Sequence, residues 1–443
     1  MHINRFALAI LLVGAQSQIL AATHVTGSAA SSNAYVEALA TNSSCPNNNV
    51  TIYIRGAYTG PLSKQFTVKC NIGNFAGTTE NEVRFDVSNG SLSAILKSKA
   101  GSGEASAYPG RFLVASTLGC TPVANLTYPL QSFASGKLME CPENAPMFNT
   151  ESDGGFMDIE PAVFFERGLI SKDYASGVTV APYSQVFGVV VNKTLYEALQ
   201  ADQGLKVGDW SGSNQPSVGR AQIVSLINSV EFNDAKVKGP KFLVSSTNET
   251  RITYCRYPIG SEVQVAAELY FLQNPIASGP LGGAFSAHGP ENISANFNDN
   301  TVIVNGGSGN QFAVTIRDEP SDCMMGGQGF RFGIMSAASR MPPKFDGYPP
   351  YLFVKIGGQS FGSFPDLGNV QNATKGQYDF VYEGVLFNPL GLPVLDLINE
   401  RMGRALFSNS LGGTAGLFRN VNAQSPQSSF GRGSNSAAPY SVN

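Results

Sequence analysis

Charged side chains and histidines are scarce in this chain of 443 residues. Asp, Glu, Lys and Arg together make up 14% of the sequence, and the formal net charge is -3. Binding to a nucleic-acid backbone needs clustered Lys and Arg, so this composition argues against a nucleic-acid partner. The histidines, His2, His24 and His288, are far apart. A multi-histidine metal site and general-base catalysis by histidine are therefore poorly supported, and we predict no metal and no cofactor.

Long apolar runs are also lacking beyond the start of the chain. There, Arg5 precedes the short apolar stretch 6–15, and Ala21 and Ala22 are small residues that suit a signal peptidase. We predict a secretory signal over 1–22, too short to be a comfortable membrane span. The residue after Ala22 is not cysteine, which argues against a lipid anchor at that position. The expected mature chain has no membrane span and is periplasmic or secreted.

The cysteines lack the Cys-x-x-Cys spacing that is typical of zinc and redox sites. They are Cys45, Cys70, Cys120, Cys141, Cys255 and Cys323. An even number of cysteines in an exported chain indicates disulfides, although the sequence alone leaves many pairings open. We expect pairing in sequential order, with each bridge closing a loop.

Alternating apolar strands are repeatedly followed by a turn and a helix. This order occurs at 23–41, 81–98, 184–201 and 252–273. Strands that alternate with helices indicate α/β layers rather than a β-sandwich. The mature chain is long enough for two domains.

Several short stretches form an ordered series along the chain. They are VTGSAASSNAY, FDVSNGSLSAI, GGFMDIEPAVF, FGVVVNKTLYEAL, CRYPIGSEVQ, FGIMSAASR and LFVKIGGQSFG. Their order resembles that of the phosphate-type (type II) periplasmic solute-binding proteins, and here the likeness is to a divergent, disulfide-bearing, secreted branch. Each match is short, and the specificity lies in the shared order.

The resemblance implies a two-lobed α/β fold of the type II periplasmic binding proteins, with a ligand cleft between the lobes. Lobe 1 is expected to comprise 23–185 and 333–443, and lobe 2 to comprise 186–332, with hinges near the two crossings. The stretch 101–149 lacks clear periodicity, so we predict a surface insertion there. From Gly412 onward the chain is a Gly/Ser-rich tail, which we expect to be extended and weakly packed.

The resemblance also implies where a ligand would bind. N–H and O–H donors at strand ends and helix starts hold an oxyanion in this family. Ser31, with Ser32 beside it, lies at the family's first-turn threonine, Ser91 at its second-turn serine, and Asp158 at its aspartate. Met157 replaces the serine that usually precedes that aspartate. Helix capping or a turn explains Ser31, Ser91 and Asp158 equally well.

The fourth family turn, Arg-x-x-x-Ser-Gly-Thr, is altered in this sequence. Arg256 and Ser261 complete the candidate ligand set, but Arg256 stands five residues before Ser261 and Tyr257 stands four before it. In a strand, Arg256 and Tyr257 point to opposite faces. Glu262 and Val263 take the Gly-Thr places, and a carboxylate close to a bound anion costs several kcal/mol in a poorly hydrated cleft. The same carboxylate would instead suit an amine or a cation.

Two hypotheses of function follow from these features. The first is a non-catalytic extracytoplasmic solute-binding protein that holds phosphate or a related oxyanion and serves an ABC-type importer. The second is an exported structural or interaction protein on the same scaffold, with a partner at the cell surface or in a filament.

A hydrolase ranks far below both hypotheses. The stretch GQSFG around Ser360 matches a nucleophile elbow, but such an elbow needs a helix directly after the serine and a later histidine. Pro365 and Gly368 follow Ser360 closely, and no histidine comes after His288. We predict no catalytic residues.

Overall fold

The computed structural model of the protein describes much of the chain. The described residues are 22–40, 43–58, 62, 64–115, 119–124, 137–166, 168–228, 239–257, 261–272, 301–305, 311–316, 320–325, 329–337, 351–361, 370–407, 417–419, 428, 430–431 and 440–441. The predicted signal segment before Ala22 and most of the tail from Gly412 lie outside them. No helix within these residues is long and apolar enough to cross a membrane.

Strands dominate the described structure, as the alternating stretches predict. The first strands are β1 (Ala22–Gly27), β2 (Val50–Arg55), β3 (Gln65–Cys70), β4 (Glu82–Asp86), β5 (Gly110–Leu113), β6 (Thr121–Pro122), β7 (Leu138–Cys141), β8 (Met147–Thr150), β9 (Gly154–Met157), β10 (Val178–Val191) and β11 (Ser217–Val218). The later strands are β12 (Arg251–Arg256), β13 (Thr301–Asn305), β14 (Gln311–Ile316), β15 (Phe330–Ser336), β16 (Leu352–Phe353), β17 (Lys355–Ile356), β18 (Val381–Phe387), β19 (Leu417–Arg419), β20 (Phe430–Gly431) and β21 (Tyr440–Ser441).

Helices follow several of these strands and cover the sheet. They are α1 (Ser32–Leu39), α2 (Ser93–Leu96), α3 (Pro161–Glu166), α4 (Lys193–Asp202), α5 (Arg220–Asn228), α6 (Glu262–Leu272), α7 (Pro320–Met325), α8 (Gln371–Thr374) and α9 (Pro393–Phe407). The α/β class predicted from the sequence is confirmed.

One mixed sheet organises the molecule, in the order β13, β14, β12, β15, β10, β18, β9, β1, β4, β3, β2, β7, β6. The long strand β10 divides it, because residues 178–186 pair with β18 while residues 187–191 pair with β15. We call the strands from β18 to β6 the first section, and those from β15 to β13 the second section. β10 is the crossing strand that both sections share.

Aromatic side chains fill the interior of both sections. In the first section Phe66 stacks on Phe85 with ring centroids 4.5 Å apart. In the second section Tyr254 stacks on Phe332 at 4.9 Å. Each of these four rings is at least 97% buried. Burial of such large apolar surfaces is the main contribution to the stability of each section.

The strands after β14 pair around the crossing strand. β15 pairs with the crossing strand as far as Ser336, β16 pairs with Val190 and Val191, and β17 pairs with β11. The next strand after these that belongs to the first section is β18. Local alternation predicts a strand but does not select its partner, so these pairings were not predictable from the strands themselves.

The predicted insertion at 101–149 is more closely integrated than a surface loop. Its strand β7 runs parallel to β2, with Leu138 opposite Ile52, and β6 pairs with β7. Leu138 and Cys141 are buried. The insertion thus extends the edge of the first section, while β5 and β8 form a separate antiparallel pair.

The sequential disulfide pairing is confirmed. The bridges are Cys45–Cys70, Cys120–Cys141 and Cys255–Cys323, with sequence separations of 25, 21 and 68. The third bridge ties β12 to α7 within the second section.

Candidate functional site

Three turns meet at one edge of the first section. β1 runs parallel to both β4 and β9, so the carboxyl ends of these strands lie side by side. Ser28 and Ser31 follow β1, Ser91 follows β4, and Asp158 follows β9. The carboxyl ends of neighbouring parallel strands are the usual place for a ligand in an open α/β sheet. We call these four residues, together with Tyr183 of the crossing strand, the Asp158 cluster.

Hydroxyl groups surround the carboxylate of Asp158, which is fully buried. The Ser28 hydroxyl donates to Oδ2 at 2.6 Å, and the Tyr183 hydroxyl donates to Oδ1 at 2.8 Å. The Ser31 hydroxyl lies 3.2 Å from Oδ1. These hydrogen bonds replace part of the hydration that the carboxylate loses on burial.

The backbone at Gly27 allows Ser28 to approach Asp158. Gly27 has φ +129°, and a Cβ there would lie 1.9 Å from the carbonyl oxygen of Phe156. Only glycine fits so close to the neighbouring strand in this conformation. The N–H of Ser28 then donates to the same carbonyl at 2.9 Å, which fixes the first turn against β9.

The serine of the first turn serves the cluster rather than its helix. Ser31 is the N-cap residue of α1, but its side chain makes no capping hydrogen bond. Its hydroxyl accepts from Tyr35 at 2.9 Å and lies 3.1 Å from the Tyr183 hydroxyl. Capping therefore does not account for the Ser31 side chain.

Burial controls protonation in the cluster. It raises the pKa of Asp158, and the hydroxyls of Ser28, Tyr183 and Ser31 oppose that rise only in part. Burial, reinforced by the nearby Asp158 carboxylate, also raises the pKa values of Tyr35 and Tyr183 well above the ordinary value. Both tyrosines consequently remain neutral O–H donors.

Ser91 connects the cluster to the second section. Its hydroxyl accepts the N–H of Asp158 at 2.9 Å. Its own N–H donates to Oε2 of Glu262, also at 2.9 Å. Glu262 is the first residue of α6, which follows β12 of the second section, and it is 6% exposed. The two sections are thus hydrogen-bonded to each other at the site.

The other predicted site residues make contacts outside the cluster. The Ser32 hydroxyl donates to the Ala29 carbonyl at 2.8 Å. Arg256 donates through Nε to the carbonyl oxygen of Tyr257, and its Nη2 lies 3.9 Å from Oε1 of Glu268.

Ser261 is used at the start of α6. Its hydroxyl accepts the N–H of Val263 at 3.3 Å. Of the six predicted residues, the structure therefore brings together Ser31, Ser91 and Asp158.

Ser28, Tyr35 and Tyr183 were not among the predicted site residues. Ser28 directly follows the glycine of the first turn, and this position was the available signal for it. Tyr183 lies in an ordinary apolar strand, and Tyr35 in an ordinary helix, so nothing local marks either residue. Tyr183 reaches Asp158 across β18, the strand between β10 and β9, and Tyr35 of α1 reaches Ser31.

The described residues contain no group of three or more His, Cys, Asp or Glu side chains that would hold a metal ion.

Ser360 follows a tight turn in which Ile356 bridges to Gln359. Its carbonyl accepts from the side chain of Asn372 at 2.6 Å. This is a hairpin turn and not a strand-to-helix elbow up to Phe361, where the described stretch ends.

Comparison with known proteins gives weak structural likenesses. No family model and no curated protein matches the chain. One similar solved structure, from Clostridium perfringens, is described as a phosphate ABC transporter substrate-binding protein with bound phosphate. It has a TM-score of 0.40 and 9% identity, over 90% of this chain and 100% of that one. Another, an ABC-type phosphate transport receptor from Vibrio cholerae, has a TM-score of 0.30 and 8% identity, over 55% and 73%.

Proposed function

We propose that this protein is an extracytoplasmic, two-lobed solute-binding protein that holds a small polar ligand at the Asp158 cluster. The observation that supports this proposal best is the convergence of Ser31, Ser91 and Asp158, which come from three separate turns. They meet where the crossing strand and α6 also approach. A buried polar cluster at the junction of two sheet sections is suited to enclosing a ligand by hinge closure.

Phosphate, or a related oxyanion, is the first ligand to test. The hydroxyls of Ser28 and Ser31 and the N–H of Ser91 would donate to anionic oxygens once their contacts with Asp158 and Glu262 open. The carboxylate of Asp158 would accept a hydrogen bond from a monoprotonated oxyanion and disfavours a fully deprotonated one. The proposed partner of the loaded protein is an ABC-type importer.

Thermal unfolding tests this proposal. The protein is unfolded, dialysed free of ligand, refolded and heated with phosphate, sulfate or arsenate at millimolar to tens-of-millimolar concentration. A ligand at one hundred times its Kd stabilises by about 2.7 kcal/mol, which is a readily measured shift. We expect a shift that is lost in Asp158→Asn and retained in Asp322→Asn, which alters an exposed aspartate of α7.

A second candidate is an exported structural or interaction protein on the same scaffold. It is favoured by the position of Arg256, whose guanidinium is directed toward Glu268 of α6 rather than toward the Asp158 cluster. If none of the three oxyanions shifts the unfolding temperature of a folded sample, the second candidate is preferred. Sedimentation across a concentration series then measures whether the protein self-associates.

A further inference from the structure

We infer that Glu262 is an internal anion, which occupies the Ser91 N–H and must leave it before an external oxyanion binds at the Asp158 cluster. This inference rests on the proposed function, and it makes Glu262 the residue that controls the affinity of the site. The contact joins a side chain of the second section to a main-chain N–H of the first.

The geometry around Glu262 resembles that of a bound ligand. Its Oε2 lies 2.9 Å from the Ser91 nitrogen, and the residue is 94% buried. A Cβ on Gly90 would lie 2.3 Å from the same oxygen. The carboxylate thus fits against the second turn because the residue before Ser91 has no side chain.

A carboxylate oxygen and a phosphate oxygen are equivalent acceptors for this N–H, because each is anionic and accepts one short hydrogen bond. Both cannot occupy the same position. Moreover, a phosphate placed beside an ionised Glu262 would be repelled across a few ångströms of poorly hydrated space. Binding of an external anion therefore requires Glu262 to move.

The contact also links affinity to the separation of the sections. While Glu262 holds Ser91, this contact joins the two sections. The apparent association constant for an oxyanion is then the intrinsic constant multiplied by the fraction of molecules in which this contact is open. Removing the carboxylate should therefore raise the apparent affinity for an oxyanion.

Two variants and one control test the inference. Glu262→Ala removes the carboxylate, and Glu262→Gln keeps an acceptor of the same shape without the charge. Glu151→Gln neutralises an exposed glutamate elsewhere in the chain and is the control. Phosphate binding is titrated by calorimetry, and the exchange rate of the Ser91 amide is followed by hydrogen–deuterium exchange with and without phosphate.

We expect Glu262→Ala to bind phosphate at least about tenfold more tightly than the unaltered protein, with a smaller gain in Glu262→Gln and none in Glu151→Gln. Without phosphate, the Ser91 amide should exchange faster in Glu262→Ala, and phosphate should slow it again. If the unaltered protein binds phosphate and Glu262→Ala binds it equally well, the inference is overturned while the proposed function stands.

Two other outcomes distinguish the inference about Glu262 from the proposed oxyanion function. If only Glu262→Ala binds phosphate, the inference is supported and the unaltered protein is not an oxyanion carrier. If neither binds phosphate, the proposed oxyanion function fails. Amide exchange then decides the internal contact alone, because faster exchange at Ser91 in Glu262→Ala supports it and unchanged exchange overturns it.

Discussion

The hydroxyl of Tyr183 donates a 2.8 Å hydrogen bond to Asp158, and both residues are fully buried. Tyr183 belongs to the crossing strand β10, and Asp158 to the turn after β9. The strand shared by the two sections is therefore bonded directly to the centre of the candidate site. Any hinge motion that displaces β10 at this point also changes the hydrogen bonding of Asp158.

Removal of that hydroxyl should destabilise the protein. Tyr183→Phe leaves the buried carboxylate of Asp158 with one donor fewer, so we expect the free energy of unfolding to fall by about 1–3 kcal/mol. Urea denaturation measures the loss. Tyr108→Phe, at a tyrosine that is 39% exposed, should change it by less than about 0.5 kcal/mol. Equal effects of the two substitutions would show that the Tyr183 contact contributes nothing.

Asp158 should impose a pH dependence of one particular sign. Because burial raises its pKa, the folded protein retains this proton at pH values where the unfolded chain has already released it. The stabilising contribution is full below the ordinary aspartate pKa of about 3.9, and it is lost as pH rises through the folded-state value. Asp158→Asn removes this contribution and its pH dependence.

Urea denaturation of both proteins at a series of pH values from 4 to 7 isolates this effect, because the other titrating groups are common to both. The difference in unfolding free energy, unaltered protein minus variant, should decrease as pH rises. Parallel pH profiles would contradict the raised pKa.

The local structure could be read from the sequence because its signals are local. The stretches 23–41 and 81–98, predicted as strand, turn and helix, contain β1 with α1 and β4 with α2. The pairing of β7 with β2, and that of β16 with the crossing strand, depend on contacts between distant segments. An alternating stretch of a few residues carries no information about such partners.

The same division holds for the candidate site. Ser31, Ser91 and Asp158 were predicted because each stands in one of a series of turns, and the order of these turns along the chain resembles that of a known family. Tyr183 has no such signal, and its contact with Asp158 depends on the sheet order, in which one strand, β18, separates β10 from β9. The altered fourth turn indicated that Glu262 is a carboxylate near the site. Its hydrogen bond with the Ser91 N–H could not be predicted from the sequence.

The buried ion pair of Lys97 and Asp86 should contribute more to the free energy of unfolding than the more exposed pair of Lys99 and Asp153. Lys97 Nζ donates to Asp86 Oδ2 at 2.7 Å, and these side chains are 3% and 1% exposed. Burial alone raises the pKa of Asp86, but Lys97 and the N–H of Arg111 hold it below its ordinary value. Lys97→Met would leave this charge buried without its cation.

We therefore expect Lys97→Met to cost about 3–5 kcal/mol. Lys99 pairs with Asp153 at 2.5 Å but is 49% exposed, so Lys99→Met should cost no more than about 1 kcal/mol. Guanidinium denaturation of the two variants measures both values. A loss at Lys97 no larger than that at Lys99 would contradict the assignment of Lys97 as the essential counter-charge of Asp86.

The disulfide of the second section should stabilise the fold more than the Cys45–Cys70 bridge of the first section. Cys255–Cys323 has a sequence separation of 68, against 25 for Cys45–Cys70. A longer closed loop removes more conformational entropy from the unfolded chain, about 4 kcal/mol against about 3 kcal/mol in the loop-entropy account. Each pair is replaced by alanines together, so that no single thiol remains. Urea denaturation without reductant should show the larger loss for the Cys255–Cys323 pair, and the opposite ranking would mean that native-state packing around Cys45 and Cys70 outweighs loop length.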